Sequence, residues 1–553
     1  MQESKPNLVL KNGSVYSVDP DRNWAQAIAI ADGKIIFVGT NDGLEHYISS
    51  DTIVIDLDGK MVLPGFVDAH AHPSQAMDYV GNINLYLLRS IEEYKQAIAD
   101  YAESHVGAEV LRGSGWDNRY FSSHGPDKDI LDALVPDRPI SLVSYDGHSV
   151  WVNSVALLRA QITRDTPDPE GGLIERDPET GEPNGTLRET AMQYVENVLP
   201  DYTIAERKNA LLAYQDMAVR AGVTLCHDAM LEAQAIAAFK ELEAEGSLKM
   251  RFRGAPLMEP DQGTEEQIEL MLRERSGNTS PYFQVKAAKI FVDGVIEGGT
   301  AYLLEPYEHR PDFCGEPIWG PEILNQMSAA LDREKIQIHV HVIGDAATQI
   351  TLDALEYAQE KNGKRDSRHL ITHLQLVTPG DIPRFRELGV IGVPQPFWFK
   401  VDDYYWNLAV PYLGKDRADI QYPMRSFIDA GVVMASASDF PVTIPFDPLI
   451  GIQTGITRSA IGVSPEEILW PEERVTLEDM ITSYTFNGAY ANYLENELGS
   501  LEVGKRADII VLEKNLFEIP STEIAQTKVH LTLVDGEVVF RDADFGQLVD
   551  EGG

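Results

Sequence analysis

Cysteine is nearly absent from this chain: Cys226 and Cys314 are the two in 553 residues. Two thiols cannot build a disulfide framework, and neither has the paired spacing of a zinc knuckle. Cys226 falls in an apolar run and is expected to be a packed thiol. No run reaches the roughly 18 apolar residues of a membrane span. The opening MQESKPNLVLKNG has no basic stretch leading into an apolar one, so no secretory leader is expected. Positive charge is scarce as well, with 46 Lys and Arg against 87 Asp and Glu and a net charge of −41. Nucleic acid and anionic membrane would both be repelled, so neither is expected as a partner. The acids are scattered rather than blocked, which reads as a solvated surface. A cytoplasmic protein acting on a small molecule is the expectation these absences leave.

What is there is an ordinary soluble composition, 43% hydrophobic and 24% charged. The length leaves room for a barrel of about 250 residues or more plus accessory domains. Residues 7–60 read as short strands punctuated by Asn-Gly and Asp-Gly turns, a hairpin signature. RADIIVLEK (506–514) and HLTLVDGEVVF (530–540) mirror them at the far end, so one small β-domain is expected from 1–60 plus 491–553. Between them, 61–490 alternates strand-like and helix-like runs, the pattern of a (β/α)8 TIM-type barrel in an α/β fold. Eight strand candidates begin with the run in 61–73 and continue at 222–229, 249–256, 284–294, 335–345, 368–376, 389–396 and 431–441. The helix ending at Arg220 is expected to turn into its strand through Ala221 and Gly222. An α/β insertion rich in Gly and Trp fills 75–205 after the first strand and is expected to wall or cap the site, as loops on the catalytic face do.

The stretch MVLPGFVDAHAHP (61–73) organises this middle. It reads as one buried strand ending on His70 and His72, whose i, i+2 spacing puts both imidazoles on one face. Converging imidazoles on a rigid backbone make half of a divalent metal site. Later runs interrupt apolar residues with further ionisable ones: Lys289 in KAAKIFVDG, His339 and His341 in HVHVIGD, His373 in LITHLQL and Asp439 in ASASDFP. Such residues are costly in a core unless paired or metal-bound. A lone one is usually a satisfied core residue; four such strands beside an HxH strand are not a coincidence. His339 and His341 share a face. His341, nearer the strand end, is read as the ligand and His339 as packed beneath it. His227 could approach the site, and Lys289 could instead pair with Asp439 or Asp293. Trp116 and Asp117 in the insertion, His148 in YDGHSVWVN and Trp398 in the aromatic PFWFKVDDYYWNLAVPYL are expected to contact substrate, His148 as an orienting donor.

GFVDAHAHP, AKIFVDG, HVIGDAA, ITHLQL, ASDFPV and LGSLEVGKRADIIVL together resemble the amidohydrolase superfamily. Within it they resemble the amidohydrolase-3 branch, the YtcJ-like and N-substituted formamide deformylase-like proteins. The resemblance covers essentially the whole chain. It implies a barrel with a composite β-sandwich and a binuclear centre of two divalent ions, zinc by preference. His70, His72, Lys289, His341, His373 and Asp439 match the ligand positions, Lys289 as a lysine carboxylated by CO2 that bridges the ions. Burial favours the neutral amine that reaction needs. The expected activity is hydrolysis of a non-peptide C–N bond, amide or formamide, by metal-activated hydroxide, with Asp439 as the catalytic base and His148 assisting. A mononuclear deaminase, a cyclic-amide or ester hydrolase and a non-catalytic scaffold are the alternatives. A homodimer is left open.

Overall fold

The computed structural model describes residues 6–44, 46–86, 88–122, 124–144, 149–169, 172–462 and 467–545. Two compact units make up the chain, Pro73–Tyr214 and the remainder, Met1–His72 with Gln215–Gly553. The smaller unit therefore begins two residues before and ends nine residues beyond the expected 75–205.

In the larger unit the β-branched runs form parallel strands with both faces covered, as their unbroken apolar character requires. Phe66–Ala71 pairs with Val223–Leu231, which pairs with Arg251–Pro256 and that with Phe283–Val285. Ala287–Phe291 pairs with Gln337–Val342, followed by Leu370–His373 and Ile391–Val393. Single contacts join these two sets. Leu257 bridges to Lys289 and Gly392 to Met434, both parallel. The segment that follows Met434 returns to the first strand, where Ser436 O accepts from Ala69 N at 3.3 Å and Asp439 N donates to His70 O at 2.8 Å. The eighth candidate run, 431–441, thus joins its neighbours through isolated contacts rather than a regular ladder. Amphipathic helices supply the crossovers that parallel pairing demands. Pro321–Arg333 buries Leu324, Met327 and Leu331 on one face. Leu477–Tyr484 begins with a capping box between Thr476 and Asp479. Gly222, at φ +81°, makes the turn from the helix Ile204–Arg220 into the second strand.

Both chain ends meet in a six-stranded sheet, in which Met61–Pro64 pairs antiparallel with Ile509–Leu512. A four-stranded sheet of Leu8–Lys11, Ala27–Ala31, Lys34–Gly39 and Ile53–Asp56 shares one apolar core with it, including Leu10, Ile30, Val62, Val511 and Leu533. The run expected as a single strand from Val62 to His72 is therefore two. Met61–Pro64 belongs to the terminal sheet and Phe66–Ala71 to the parallel strands. The break falls at Gly65, where a side chain would meet Thr224 at 2.4 Å. Pro64 before it has no N–H to continue a ladder.

The smaller unit is a mixed six-stranded sheet running Gly172–Arg176, Pro183–Glu189, Ser149–Val152, Ile140–Ser144, Leu111–Trp116 and Ile83–Asn84. Trp116 and Trp151 are fully buried in its core against Leu131 and Leu142. No helix among the described residues is long and apolar enough to cross a membrane.

Candidate metal centre

The C-terminal ends of the parallel strands bring the expected ligands into one buried cluster. His70 and His72 both reach the Oδ1 of Asp439 through Nε2, at 3.2 and 3.1 Å. One metal-competent nitrogen of His70, one of His373 and a carboxylate oxygen of Asp439 lie within 4.8 Å of one another. The ring of His373 is 5.0 Å from that of His70 and 4.4 Å from that of His341. His70 and Lys289 are fully buried, and His72, His341, His373 and Asp439 nearly so. His373 and Asp439 sit at φ +71° and +62°, backbone conformations that L-residues adopt rarely and that recur where function holds them.

Which nitrogen each imidazole offers follows from the partner on its other side. His341 Nε2 lies 3.1 Å from the carbonyl of Gly294, which can only accept. His341 must donate there, so its Nδ1 carries the lone pair. His373 Nδ1 lies 2.9 Å from Gln395 Oε1, while the amide nitrogen of Gln395 donates to Thr372 Oγ1 and Val393 O. His373 therefore offers Nε2. Oriented ligands of this kind are what a metal site requires behind its first ring of contacts.

Burial drives His70, His341 and His373 toward the neutral, ligating form. His341 is pushed down to about 3, by desolvation first and by the Lys289 charge second. The same two causes lead for His70, which lies well below the usual imidazole range. His373 is also well below it, through burial, then the neighbouring His341 and Lys289. Lys289 is itself brought down to about 7 by burial, opposed by Asp439. Its Nζ has no hydrogen-bond partner among the described residues and sits 4.4 Å over the ring of Phe291. His70 Nε2, His72 Nδ1 and Asp439 Oδ1 are buried without hydrogen-bond partners too. Native cores rarely leave such atoms unsatisfied. The donor set of imidazoles and a carboxylate around these atoms fits a divalent transition ion.

Two acidic residues build the frame: Asp68, which the sequence did not single out, and Asp293. Asp68 accepts from His70 N at 3.3 Å and from Ser438 N at 2.9 Å, and also from the Ser438 hydroxyl, tying the segment that carries Asp439 to the first strand. Asp293 accepts from Ile343, Gly344 and Tyr302 backbone N–H groups at 2.8 to 3.0 Å, which fixes the loop after His341. That carboxylate serves the backbone rather than Lys289. His339 lies beneath His70, not beneath His341, with its Nε2 2.7 Å from His70 Nδ1. His227 contacts His339 in turn.

The expected substrate contacts fall differently. Trp398 stacks on His373, with centroids 5.6 Å apart and planes 17° apart, and donates to Thr443 Oγ1. Trp116 is a core residue of the smaller unit and donates its indole N–H to Leu142 O at 2.7 Å. Asp117 in that unit caps a short 3-10 turn and pairs with Arg119. His148 lies outside the described residues.

A family model described as the Amidohydrolase family matches residues 53–540. The chain is 30% identical over 545 residues to Protein LONG AFTER FAR-RED 3 of Arabidopsis thaliana, covering 97% of this chain and 91% of that one. It is 30% identical over 538 residues to the putative amidohydrolase YtcJ of Bacillus subtilis (strain 168), covering 96% and 98%. N-substituted formamide deformylase of Arthrobacter pascens is 28% identical over 553 residues, with 96% and 97% covered. Among solved structures, one described as an uncharacterized metal-dependent hydrolase from Pyrococcus furiosus shares the fold, at a TM-score of 0.74 and 24% identity over 92% of this chain and 99% of that one. The chain belongs to the amidohydrolase family, in the branch that holds YtcJ and N-substituted formamide deformylase.

Proposed function

We propose that this protein is a metal-dependent hydrolase of a non-peptide C–N bond, in an amide, N-acyl compound or formamide. On this reading the circuit of parallel strands is a (β/α)8 barrel, with a composite β-sandwich from the two termini. The observation that carries the reading is the pair of lone-pair atoms facing each other in the core. On the reading that His70 Nδ1 donates to His339, its Nε2 is bare, and 3.2 Å away stands the carboxylate Oδ1 of Asp439; neither atom has a hydrogen-bond partner among the described residues. Two acceptors held that close repel unless a cation lies between or beside them. His70, His72, His341, His373 and Asp439 would hold the ion or ions, with zinc suited to this donor set.

Divalent ions held there would polarise the scissile carbonyl as Lewis acids and make water acidic enough to ionise near neutral pH. The rest is done by the chain. Asp439 is placed to take the proton of the attacking water and return it to the leaving nitrogen. Lys289, buried and unpartnered, is suited to attack CO2. A bond forms from Nζ to the CO2 carbon as one C–O π pair moves onto oxygen, and one Nζ proton leaves to solvent, giving a carbamate whose single negative charge is shared by two oxygens and which would join the residues that hold the ions. Trp398, stacked on His373, supplies an apolar wall for substrate. N-substituted formamide deformylase supports the choice of bond, since it is similar over 96% of this chain.

A mononuclear centre has its own observation, because among the described residues the three ligating atoms that lie within 4.8 Å of one another are those of His70, His373 and Asp439. Metal analysis separates the two, about two ions per chain against one. With two ions, Lys289→Ala lowers activity by at least about tenfold, and short carboxylic acids that mimic the carbamate restore part of it. A screen of N-formyl, N-acyl and cyclic amides and esters with added zinc tests the bond class. No turnover of any C–N substrate by fully loaded enzyme sinks the proposal.

A further inference from the structure

Three imidazoles and one amide form an unbroken file through the core behind the metal centre. Asn492 Oδ1 lies 3.1 Å from His227 Nδ1, His227 Nε2 lies 3.3 Å from His339 Nδ1, and His339 Nε2 lies 2.7 Å from His70 Nδ1. All three rings are fully buried, and Asn492 nearly so. A buried imidazolium is costly without an anion against it, and the file sets His227 and His339 between an amide oxygen and other imidazoles, so each ring is neutral and carries one N–H. A file of neutral imidazoles can run in either of two directions, and nothing within the rings chooses between them.

The choice is made at the far end. Asn492 Nδ2 donates to Gly488 O at 2.9 Å. A backbone carbonyl has no hydrogen to give, so the amide nitrogen must face it. Flipping Asn492 would set two carbonyl oxygens against each other in a dry core. With Nδ2 committed, Oδ1 faces His227 and can only accept. His227 must then protonate Nδ1 and accept at Nε2. His339 is forced to do the same, and so is His70. The last ring is left with its N–H turned inward and a bare Nε2 turned toward Asp439.

We propose that Asn492, His227 and His339 are positioning residues that lock His70 in the metal-ligating Nδ1–H tautomer, by a chain of one-way hydrogen bonds that starts at the carbonyl of Gly488. The inference rests on the reading of His70 as a metal ligand. Its function is to remove the competing tautomer, in which His70 Nε2 would carry a proton and could not bind an ion. A metal-bound imidazole whose second nitrogen is anchored is also held in ring orientation and made more basic. Asn492 does this from three side chains away. Nothing in its own position marks it as part of the site.

The test uses the full-length enzyme. Nitrogen NMR of metal-free protein labelled with 15N-histidine, with resonances assigned through single-histidine substitutions, reads the tautomers directly. His70, His339 and His227 should each show a protonated Nδ1 and a bare Nε2; a protonated Nε2 on His70 overturns the proposal. Zinc affinity, measured by competition with a chelator, should fall by about a hundredfold in His339→Ala and about tenfold in Asn492→Leu, the range of such outer contacts. His339→Gln, which still offers an acceptor to His70, should recover to within about threefold of the parent. A merely structural role would lower thermal stability alike in all three variants, leaving zinc affinity unchanged and Gln no better than Ala. Should His339→Ala fail to fold, Asn492→Leu and the spectrum of the parent protein still decide. If the parent binds no zinc at all, the metal reading falls, while the spectrum tests the one-way file independently.

Discussion

The two ends of the parallel strands bury charge in opposite ways. Where the strands begin, the buried guanidinium groups of Arg251 and Arg368 are answered by carboxylates. Arg251 opens its strand with one guanidinium nitrogen on the Asp508 carboxylate and another 2.5 Å from Asp535. Arg368, just before Leu370–His373, pairs with Asp366 at 2.7 Å and Glu495 at 2.9 Å. Where the strands end, the same burial leaves Lys289 Nζ, Asp439 Oδ1 and His70 Nε2 without hydrogen bonds. Removing Arg251 strips the buried Asp508 of its guanidinium and leaves it the N–H of Asp535, while Asp535 keeps Arg506 at 2.8 Å. At the second end the groups stand without hydrogen bonds among the described residues, and a ligand from outside the chain would satisfy them together. The first end secures the strands to the terminal sheet, and the second is held open for chemistry at a cost in stability.

The sharpest way to break this contrast is Asp439→Asn. Loss of the proton acceptor and a ligand together should reduce turnover by about a thousandfold or more, while the metal-free protein changes stability by less than about 1 kcal/mol. Steady-state kinetics and urea unfolding of the metal-free enzyme read the two numbers. A large loss of stability would mean that Asp439 is a structural partner like Asp508. Arg251→Ala should behave in the reverse sense. It leaves Asp508 buried without its guanidinium, beside an Asp535 that keeps Arg506 at 2.8 Å, and should cost about 3–5 kcal/mol, with kcat and zinc content of the folded enzyme unchanged. Replacing the pair as Arg251→Met with Asp508→Leu should recover much of that loss.

Much of the metal end was legible from the chain alone, because its residues intrude on apolar runs. His70, His72, Lys289, His341, His373 and Asp439 each stand out against Val, Ile and Ala neighbours, and the structure gathers them. What could not be read is which of two residues on one face takes which task. His339 and His341 differ only in what waits across from them, an imidazole 269 positions away or the carbonyl of Gly294. Asp68, Gln395 and Asn492 are single polar residues whose decisive partners, Ser438, His373 and His227, lie from 22 to 370 positions away, so no local pattern announces them. Trp116 shows the opposite difficulty. A Gly-Trp-Asp segment in an insertion looks like a substrate contact, yet the indole is a core residue of its own unit with its N–H satisfied. The boundary between terminal sheet and parallel strands was hidden in a single apolar run, broken only where Thr224 crowds Gly65.

Asp68 offers the finest adjustment of the contrast, because it sits at the metal end yet is paired like the other. Its carboxylate takes the backbone N–H and hydroxyl of Ser438, and Ser438 Oγ in turn accepts from Phe440 N at 3.0 Å. Those bonds hold Asp439, the residue between them, against His70. Burial pushes the Asp68 carboxyl up to about 6, so replacing it with a neutral amide removes little favourable charge. Asp68→Asn does, however, put an amide donor where Ser438 already donates, at a cost of about 1–2 kcal/mol. Asp439 then loses part of its fixed position, and turnover should fall by about tenfold with zinc content unchanged, since small misplacements of a reacting group carry costs of that order. A kcat loss as large as that of Asp439→Asn would place Asp68 among the reacting groups. No loss would mean that the backbone bond from Asp439 N to His70 O holds the carboxylate in place by itself.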